Sequence, residues 1–151
     1  MIKEIESRRS IRRYKDIPVK KELIEEILKA GMLAPSSKNR QPWHFIVTTG
    51  SAKEQVLKAM EAGLKREEKQ PFLPESAPYL DGARATLKIM KEAPVIIFIT
   101  DPLASPMDQP LAIDERVSEI CNAQSMGAAI ENMTLAATEL GLGSLWICNT
   151  F

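Results

Sequence analysis

The sequence has little of what marks a secreted, metal-binding or membrane-spanning protein. Its 151 residues contain two cysteines, Cys121 and Cys148, which form neither a CxxC pair nor a zinc-ligand spacing. A disulfide-stabilised secreted fold is therefore not expected. The longest strongly apolar stretch, Val95–Ile99, is far shorter than the ~20 residues that a membrane span needs. Because the N-terminus also lacks the apolar core of a signal peptide, we expect a soluble, cytoplasmic protein.

An excess of charge of either sign is also missing. The 20 basic and 20 acidic side chains cancel, so we expect no nucleic-acid or membrane partner, although a local basic patch remains possible. The sequence contains no Walker, GxGxxG or HExxH motif, and no metal site is expected. Its length fits a single domain with a sizeable core.

Hydrophobic periodicity predicts a mixture of helices and strands. Helices are expected over residues 3–9, 20–33, 51–69, 80–92 and 114–140, and strands over 43–49, 93–100 and 145–148. Proline-rich stretches predict loops over 35–42, 70–79 and 101–110. The second strand is apolar through its middle, which favours burial. This order predicts an α+β or α/β fold with helices on both faces of one sheet.

The last predicted helix is apolar on nearly all sides. Between Met126 and Ala137, the hydrogen-bonding side chains are Glu131, Asn132 and Thr134. A helix of this kind must be buried on most of its faces. A subunit interface offers such burial, and a central core helix in a monomer is the alternative.

Arginines crowd the segment that follows the first predicted helix. In an extended chain, Arg8, Ser10 and Arg12 project to one side and the residues between them to the other. Two guanidinium groups beside a hydroxyl make a good receptor for a phosphate and a polyol, since arginine donates paired hydrogen bonds to anionic oxygens. A solvated basic surface is one alternative. A nucleic-acid-binding arm is another, but no second basic tract or aromatic platform supports it.

A polar loop lies between two prolines at residues 35 and 42. Ser36, Ser37 and Asn39 supply small hydrogen-bonding groups in a constrained segment, which can satisfy the edge of a heteroaromatic ring. The alternative is an ordinary turn at the end of a helix.

The glycine-rich segment Gly141–Cys148 ends in a predicted apolar strand that can lie against a flat ring. Cys148 invites comparison with a nucleophile, but a single strand cysteine is usually a small buried hydrophobe. The one histidine, His44, has no visible link to Cys148 and is expected to be structural.

Together these segments resemble the nitroreductase family of flavoproteins. Ser7–Tyr14 is similar to the family's opening motif, and Ala34–Val47 is a close match to its most specific segment. Gly127–Met133 and Leu135–Trp146 resemble its central helix and the strand that follows it. The similar segments run from residue 5 to residue 149 in the expected order.

This resemblance implies an α+β fold: a three-layer α/β/α sandwich around a mixed, mainly antiparallel sheet, with the long central helix at a homodimer interface. It also implies FMN as the cofactor and NADH or NADPH as the electron donor. Arg12 is implied to lie near N1 and O2 of the flavin, where its charge stabilises the anionic reduced form. The residues implied to bind FMN are Arg8, Arg9, Ser10 and Arg12, then Pro35, Ser36, Ser37 and Asn39 from the partner subunit, and Trp146, Ile147 and Cys148 along the other face of the ring. Because FMN carries the redox chemistry in this family, no catalytic side chain is expected.

The implied reaction is electron transfer from NAD(P)H to small electron-poor acceptors, such as nitroaromatics, quinones or enones, by a ping-pong mechanism. A flavin-binding protein without turnover is one alternative. Dehalogenation or flavin fragmentation on the same scaffold is another. The family normally continues beyond this point with a further strand and an arm that crosses the dimer, so we expect a single FMN-binding domain that lacks them.

Overall fold

A computed structural model describes residues 1–72 and 75–148 of the chain. Within these residues it contains five α-helices and two β-strands. The helices are α1 (Lys3–Ser7), α2 (Lys21–Met32), α3 (Gly50–Lys69), α4 (Leu80–Glu92) and α5 (Ile113–Glu139), and the strands are β1 (His44–Thr48) and β2 (Ile96–Thr100). Every predicted helix is therefore confirmed, and the bounds differ by two residues or fewer.

The chain folds into two compact units, each formed from segments that are separate in sequence. The first unit contains Met1–Arg9, Lys20–Ile46 and Ile97–Ser144, and the second contains Ser10–Val19, Val47–Ile96 and the segment that begins at Leu145. Helices α1, α2 and α5 belong to the first unit, and α3 and α4 belong to the second.

In the first unit, α2 and α5 pack against each other. The amphipathic spacing of α2 places Ile27 and Leu28 towards α5, and Lys29 in its last turn complements the negative end of the helix dipole. The buried core of this contact consists of Ile27, Met133 and Ala137. Asn132 strengthens the contact, because its side-chain amide donates a 3.1 Å hydrogen bond to the carbonyl oxygen of Ala30.

Helix α5 begins and ends with hydrogen-bonded caps. The Glu115 carboxylate accepts a 2.8 Å hydrogen bond from the backbone N–H of Ala112. At the other end, Gly141 adopts a positive φ of 74°, and the N–H of Leu142 donates to the carbonyl oxygen of Ala137 at 2.8 Å. A left-handed residue after the last turn favours glycine, so the predicted stop at Gly141 is confirmed.

One face of α5 near its start is apolar and exposed. Ile113, Val117 and Ile120 follow one another at helical spacing and are 84%, 53% and 51% exposed. In the apolar half of the helix, Ala129, Met133, Thr134 and Ala137 are buried, whereas the remaining residues of 126–137 are only partly covered.

In the second unit, α3 and α4 pack through a row of apolar side chains. Buried members of this row are Leu57, Leu64, Ala83, Leu87 and Met90. Ion pairs border the row: Glu61 lies 3.4 Å from Lys91 and 3.5 Å from Lys65, and Glu68 pairs with Arg84. The hydrogen bond and charge of Lys91, together with Lys65, hold the pKa of Glu61 below its usual value.

Strands β1 and β2 pair in a two-stranded sheet. The hydroxyl of Thr48 donates to the carbonyl oxygen of Ile96 at 3.2 Å, and that of Thr100 donates to the carbonyl oxygen of His44 at 3.5 Å. The start of each strand thus lies beside the end of the other, which is the antiparallel arrangement. Helices with a small antiparallel sheet confirm the α+β class.

Two predictions about strands are wrong. Residues Ile96–Ile99 of β2 are partly covered rather than buried, because the described residues provide this strand with one neighbouring strand and incomplete cover. Leu145–Cys148 forms no strand at all. An apolar run satisfies the strand propensity, but a strand also needs a row of backbone hydrogen-bond partners.

No helix in residues 1–72 and 75–148 is both long enough and apolar enough to cross a membrane.

Candidate functional site

Arg8, the first residue of the arginine-rich segment, leaves α1 in an extended conformation. Arg8 follows the last helical residue with φ −54° and ψ 138°. Its Nε atom lies 3.5 Å from Oε1 of Glu131 on α5. Arg9 is exposed, and its Nη1 atom donates to the carbonyl oxygens of Glu6 at 2.8 Å and Arg8 at 2.7 Å. Arg8 is therefore attached to the central helix, whereas Arg9 caps the end of α1.

Ser10 and Arg12 belong to the second unit, and both are exposed. Nη1 of Arg12 donates to the carbonyl oxygen of Ser10 at 3.3 Å. Tyr14 supports this segment, since its hydroxyl donates to the carbonyl oxygen of Ile11 at 2.9 Å. Burial raises the pKa of Tyr14, and the charge of Arg12 partly opposes that rise.

The loop Ser36–Gln41 has an unusual backbone. Lys38, Asn39 and Gln41 adopt φ values of 53°, 54° and 48°, in the left-handed region that residues other than glycine rarely enter. Each such residue costs about 1–3 kcal/mol of free energy, and the surrounding structure must hold it in place. Strain of this kind is concentrated at binding and catalytic sites.

Two serines hold this loop in place. The N–H of Gln41 donates to Oγ of Ser36 at 3.0 Å, and the N–H of Ser37 donates to Oγ of Ser125 at 3.1 Å. Ser125 is buried on α5, and its hydroxyl donates to the carbonyl oxygen of Cys121 at 2.7 Å. The loop is thus attached to the same helix as Arg8. The two attachment points, Ser125 and Glu131, are six residues apart, or roughly 9 Å along the helix axis.

The other predicted loop residues are accessible. Pro35 and Asn39 are exposed, and Ser36 and Ser37 are half-buried. After the loop, Trp43 and Phe45 stack with their ring centroids 6.4 Å apart. This stacking fixes the point at which the loop enters β1.

Trp146, Ile147 and Cys148 form an irregular segment of the second unit. Trp146 and Cys148 are exposed, and Ile147 is half-buried. The expectation that Cys148 is a small buried hydrophobe is therefore wrong, and the strand that was expected to contain it does not form. His44 is also exposed.

Three residues of α5 gain a role that the sequence prediction missed. Ser125 holds the strained loop, Glu131 pairs with Arg8, and Thr134 lies beside Glu131. The signal was present, since Glu131 and Thr134 are polar residues on the apolar half of α5. A sequence alone does not reveal which partner each polar side chain meets.

The predicted residues suit a phosphorylated heteroaromatic cofactor such as FMN. In the described part of the chain, the hydrogen bonds of the Arg12 guanidinium go to one backbone carbonyl, and the terminal nitrogens of Arg8 make none. Charged donors therefore remain for a phosphate, which arginine binds through paired hydrogen bonds. The side-chain amide of Asn39, likewise without a hydrogen bond there, can meet the polar edge of a ring. Within the same residues, no group of three or more His, Cys, Asp or Glu side chains could hold a metal ion.

Residues 5–151 match the family described as "Nitroreductase family". A protein of Archaeoglobus fulgidus named "Putative NADH dehydrogenase/NAD(P)H nitroreductase" is 35% identical over 146 residues. These residues are 97% of this chain and 66% of that protein. The chain thus spans 66% of the length of this curated relative.

Solved structures share the fold. A crystal structure from Desulfovibrio desulfuricans, described as "a putative nitroreductase in complex with fmn", has a TM-score of 0.67 and 31% identity, and covers 97% of this chain and 66% of its own. A "BluB-like flavoprotein" from Clostridium difficile has a TM-score of 0.67 and 29% identity, and covers 97% of this chain and 73% of its own. These similarities confirm the predicted family and fold, and the chain belongs to the nitroreductase family.

Proposed function

We propose that this protein is an FMN-dependent oxidoreductase that transfers electrons from NADH or NADPH to small electron-poor acceptors, such as nitroaromatics, quinones or enones. The observation that carries this proposal is the strained loop Ser36–Gln41 and its attachment to buried Ser125. A fold holds three left-handed non-glycine residues only where packing and hydrogen bonds over-determine them. The loop also lies within the segment that most closely matches the family, and it offers small polar groups for the edge of a ring.

The proposed division of roles follows the chemistry of each group. Arg8, Arg9, Ser10 and Arg12 bind the phosphate, the ribityl chain and the pyrimidine edge of FMN. Arg12 supplies a positive charge where negative charge develops on reduction. The bound FMN would supply the redox chemistry, namely hydride transfer from the nicotinamide and electron transfer to the acceptor.

The other two segments are proposed to complete the cofactor site. Pro35, Ser36, Ser37 and Asn39 reach the flavin of the partner subunit, and Trp146, Ile147 and Cys148 lie along the other face of the ring. A homodimer accounts for the covering of α5, whose apolar half is only partly buried within one chain. The single-domain organisation and the cytoplasmic location belong to the same proposal.

A ping-pong mechanism follows if the donor and the acceptor use one face of the flavin in turn. No fingerprint for a separate dinucleotide site occurs in the sequence. Parallel lines in double-reciprocal plots are then expected, and intersecting lines would contradict the shared site.

The experiment is a titration of the purified, flavin-free protein with FMN, followed by flavin fluorescence. Arg12→Ala removes a charged hydrogen-bond donor worth about 1.5–3 kcal/mol, so FMN binding should weaken by roughly tenfold or more. Arg13→Ala is the matched control, because Arg13 is also exposed, carries the same charge and, as the neighbour of Arg12, would project to the other side of an extended chain. NADPH and NADH are then added to the loaded protein with a quinone as acceptor.

The outcomes separate the candidate functions. Wild-type protein that takes up no FMN would overturn the proposal. Uptake of FMN without oxidation of NADH or NADPH would favour a flavin-binding protein without turnover. The likeness to a BluB-like flavoprotein makes flavin fragmentation a second candidate, which loss of the bound flavin's absorbance under oxygen would reveal. Sedimentation with and without FMN tests the dimer, which added FMN should stabilise by mass action.

A further inference from the structure

A row of three polar side chains joins the buried face of α5 to the arginine-rich segment. Thr134 is buried, and its hydroxyl lies 3.0 Å from Oε2 of Glu131 and 3.0 Å from the backbone carbonyl oxygen of Glu131. The other carboxylate oxygen of Glu131, Oε1, lies 3.5 Å from Nε of Arg8. Each oxygen of this carboxylate therefore has its own partner, and we call the row Thr134–Glu131–Arg8 the relay.

The relay engages one edge of the guanidinium and leaves the other edge open. Glu131 meets Nε of Arg8, whereas the terminal nitrogens Nη1 and Nη2 make no hydrogen bond within the described residues. These two nitrogens form the fork with which arginine donates parallel hydrogen bonds to a phosphate. Contact at Nε restricts rotation of the guanidinium plane, so the direction of the fork is set before any anion arrives.

Stability alone is a poor explanation for the relay. The side chains of Arg8 and Glu131 are 35% and 41% exposed, and ion pairs with this much solvent access contribute about 0–1 kcal/mol to folding. The neighbouring Asn132 already ties α5 to α2 through the carbonyl oxygen of Ala30. Thr134 instead donates its hydrogen bond to Glu131, and Glu131 places its charge beside Nε of Arg8, whose terminal nitrogens have no hydrogen bond within the described residues.

We propose that Thr134 and Glu131 are positioning residues that orient Arg8, so that its terminal nitrogens bind the phosphate of FMN. This inference rests on the proposed function, because it requires FMN to be the ligand. It goes further in assigning two residues of the central helix a part in phosphate recognition, which they exert through Arg8. Loss of either positioning residue should therefore weaken the binding of ligands that carry the phosphate and leave the binding of ligands that lack it unchanged.

The test compares FMN with riboflavin, which has the same ring and ribityl chain but no phosphate. Thr134→Val removes the hydroxyl and leaves every charge in place. FMN affinity should fall by about tenfold, by analogy with the loss of a partner that orients a metal ligand, while riboflavin affinity stays unchanged. Thr134→Ser restores a hydroxyl and should recover most of the FMN affinity.

Thr138→Val is the matched control. Thr138 lies one turn further along α5, and its hydroxyl donates at 2.8 Å to the backbone carbonyl oxygen of Thr134. Its removal changes a helix hydroxyl but leaves the side chains of the relay and the contacts between them in place, so the affinity ratio of FMN to riboflavin should equal that of the wild type. A second variant, Arg8→Lys, keeps the charge on a partly exposed residue but removes both Nε and the fork. It should reproduce the FMN-selective loss even if Thr134→Val folds poorly.

A double-mutant cycle completes the test. In an Arg8→Ala background, Thr134→Val should cause no further loss of FMN affinity, because the relay then has nothing to orient. Equal losses for FMN and riboflavin, or no loss for either, would overturn the relay and leave a purely structural role. Wild-type protein that binds neither ligand would instead overturn the proposed function, so the two failures are distinguishable.

Discussion

Glycines on two helices show how differently the two units are packed. In the first unit, a Cβ atom added to Gly31 of α2 would lie 2.9 Å from Cγ and Sδ of Met133 and 3.1 Å from Cζ of Phe45. In the second unit, a Cβ atom added to Gly82 of α4 would meet nothing within 4 Å. The first unit therefore depends on a close approach of α2 to α5, which Gly31 permits. At Gly82 of α4, by contrast, an added methyl group would contact no other atom.

The contact between α3 and α4 is less closely packed at its edge. A cleft of about 310 Å³ lies between them, with Leu64 and Leu87 among charged side chains. Ion pairs there are solvent-exposed, which limits their contribution to stability. The helix to which Arg8 and the strained loop attach is therefore held against α2 by tight apolar packing, whereas α3 and α4 pack less closely at their edge.

The largest expected difference is that between two variants, each of which adds a methyl group at one of these glycines. Gly31→Ala gains about 1 kcal/mol of helix propensity, but overpacking against Met133 and Phe45 costs about 1–3 kcal/mol. We expect its free energy of unfolding to fall, because the contacted Met133 atoms lie mid-chain within a buried core. Gly82→Ala should raise that free energy by about 0.5–1 kcal/mol, since only the propensity changes. Urea denaturation measures the free energy of unfolding of both variants. Changes of the same sign would contradict the proposed difference in packing between the two units.

A smaller effect should follow from releasing the strained loop. Ser125→Ala leaves the N–H of Ser37 without its partner, which costs about 1–2 kcal/mol. The amide protons of residues 36–41 should then exchange faster with solvent, as measured by hydrogen–deuterium exchange. Ser118→Ala on the same helix is the control, because its hydroxyl makes no hydrogen bond among the described residues. Unchanged exchange in the loop would show that Ser125 does not hold it.

The smallest effect is a pH dependence in the second unit. Burial raises the pKa of Tyr14 above its ordinary value of 10.0, despite the opposing charge of Arg12. The folded state then holds the phenolic proton more tightly than the unfolded state. The associated stability is complete below pH 10 and declines as the pH rises from there through the raised pKa. Tyr14→Phe should flatten this decline while losing about 1 kcal/mol from the hydrogen bond to Ile11. Denaturation at pH 8 and above pH 10 measures this decline in the free energy of unfolding. An equally steep decline in the variant would contradict its attribution to Tyr14.

Helices were predictable here, because their apolar spacing, prolines and capping glycines are local signals. The bounds of α4 agree with the prediction, and those of α5 differ by one residue at each end. Leu145–Cys148 was not predictable in the same way, since strand formation depends on a partner elsewhere in the chain. The predicted burial of β2 was wrong for a similar reason. Apolar composition favours burial, but it does not show whether a neighbouring element covers the strand.

The candidate site was predictable as a set of residues but not as an arrangement. Motif similarity picked out the arginine-rich segment and the polar loop, and both carry features that a binding site needs. The left-handed backbone at Lys38, Asn39 and Gln41 occurs at residues other than glycine, so no glycine in the sequence indicates it. The partners of Thr134 and Ser125 depend on packing between segments far apart in sequence. The assignment of individual residues to FMN stays a prediction.

The exposed apolar face at the start of α5 has a consequence for the behaviour of concentrated solutions. Ile113, Val117 and Ile120 form an exposed apolar stripe that favours association between molecules. Electrostatic repulsion between the molecules opposes this association. The 151-residue chain has a net charge of zero at pH 7 and a pI of about 6.6, so that repulsion is weakest near neutrality. Aggregation should therefore decrease at pH 8 or above, because the chain becomes anionic there and like charges keep the apolar stripes of different molecules apart.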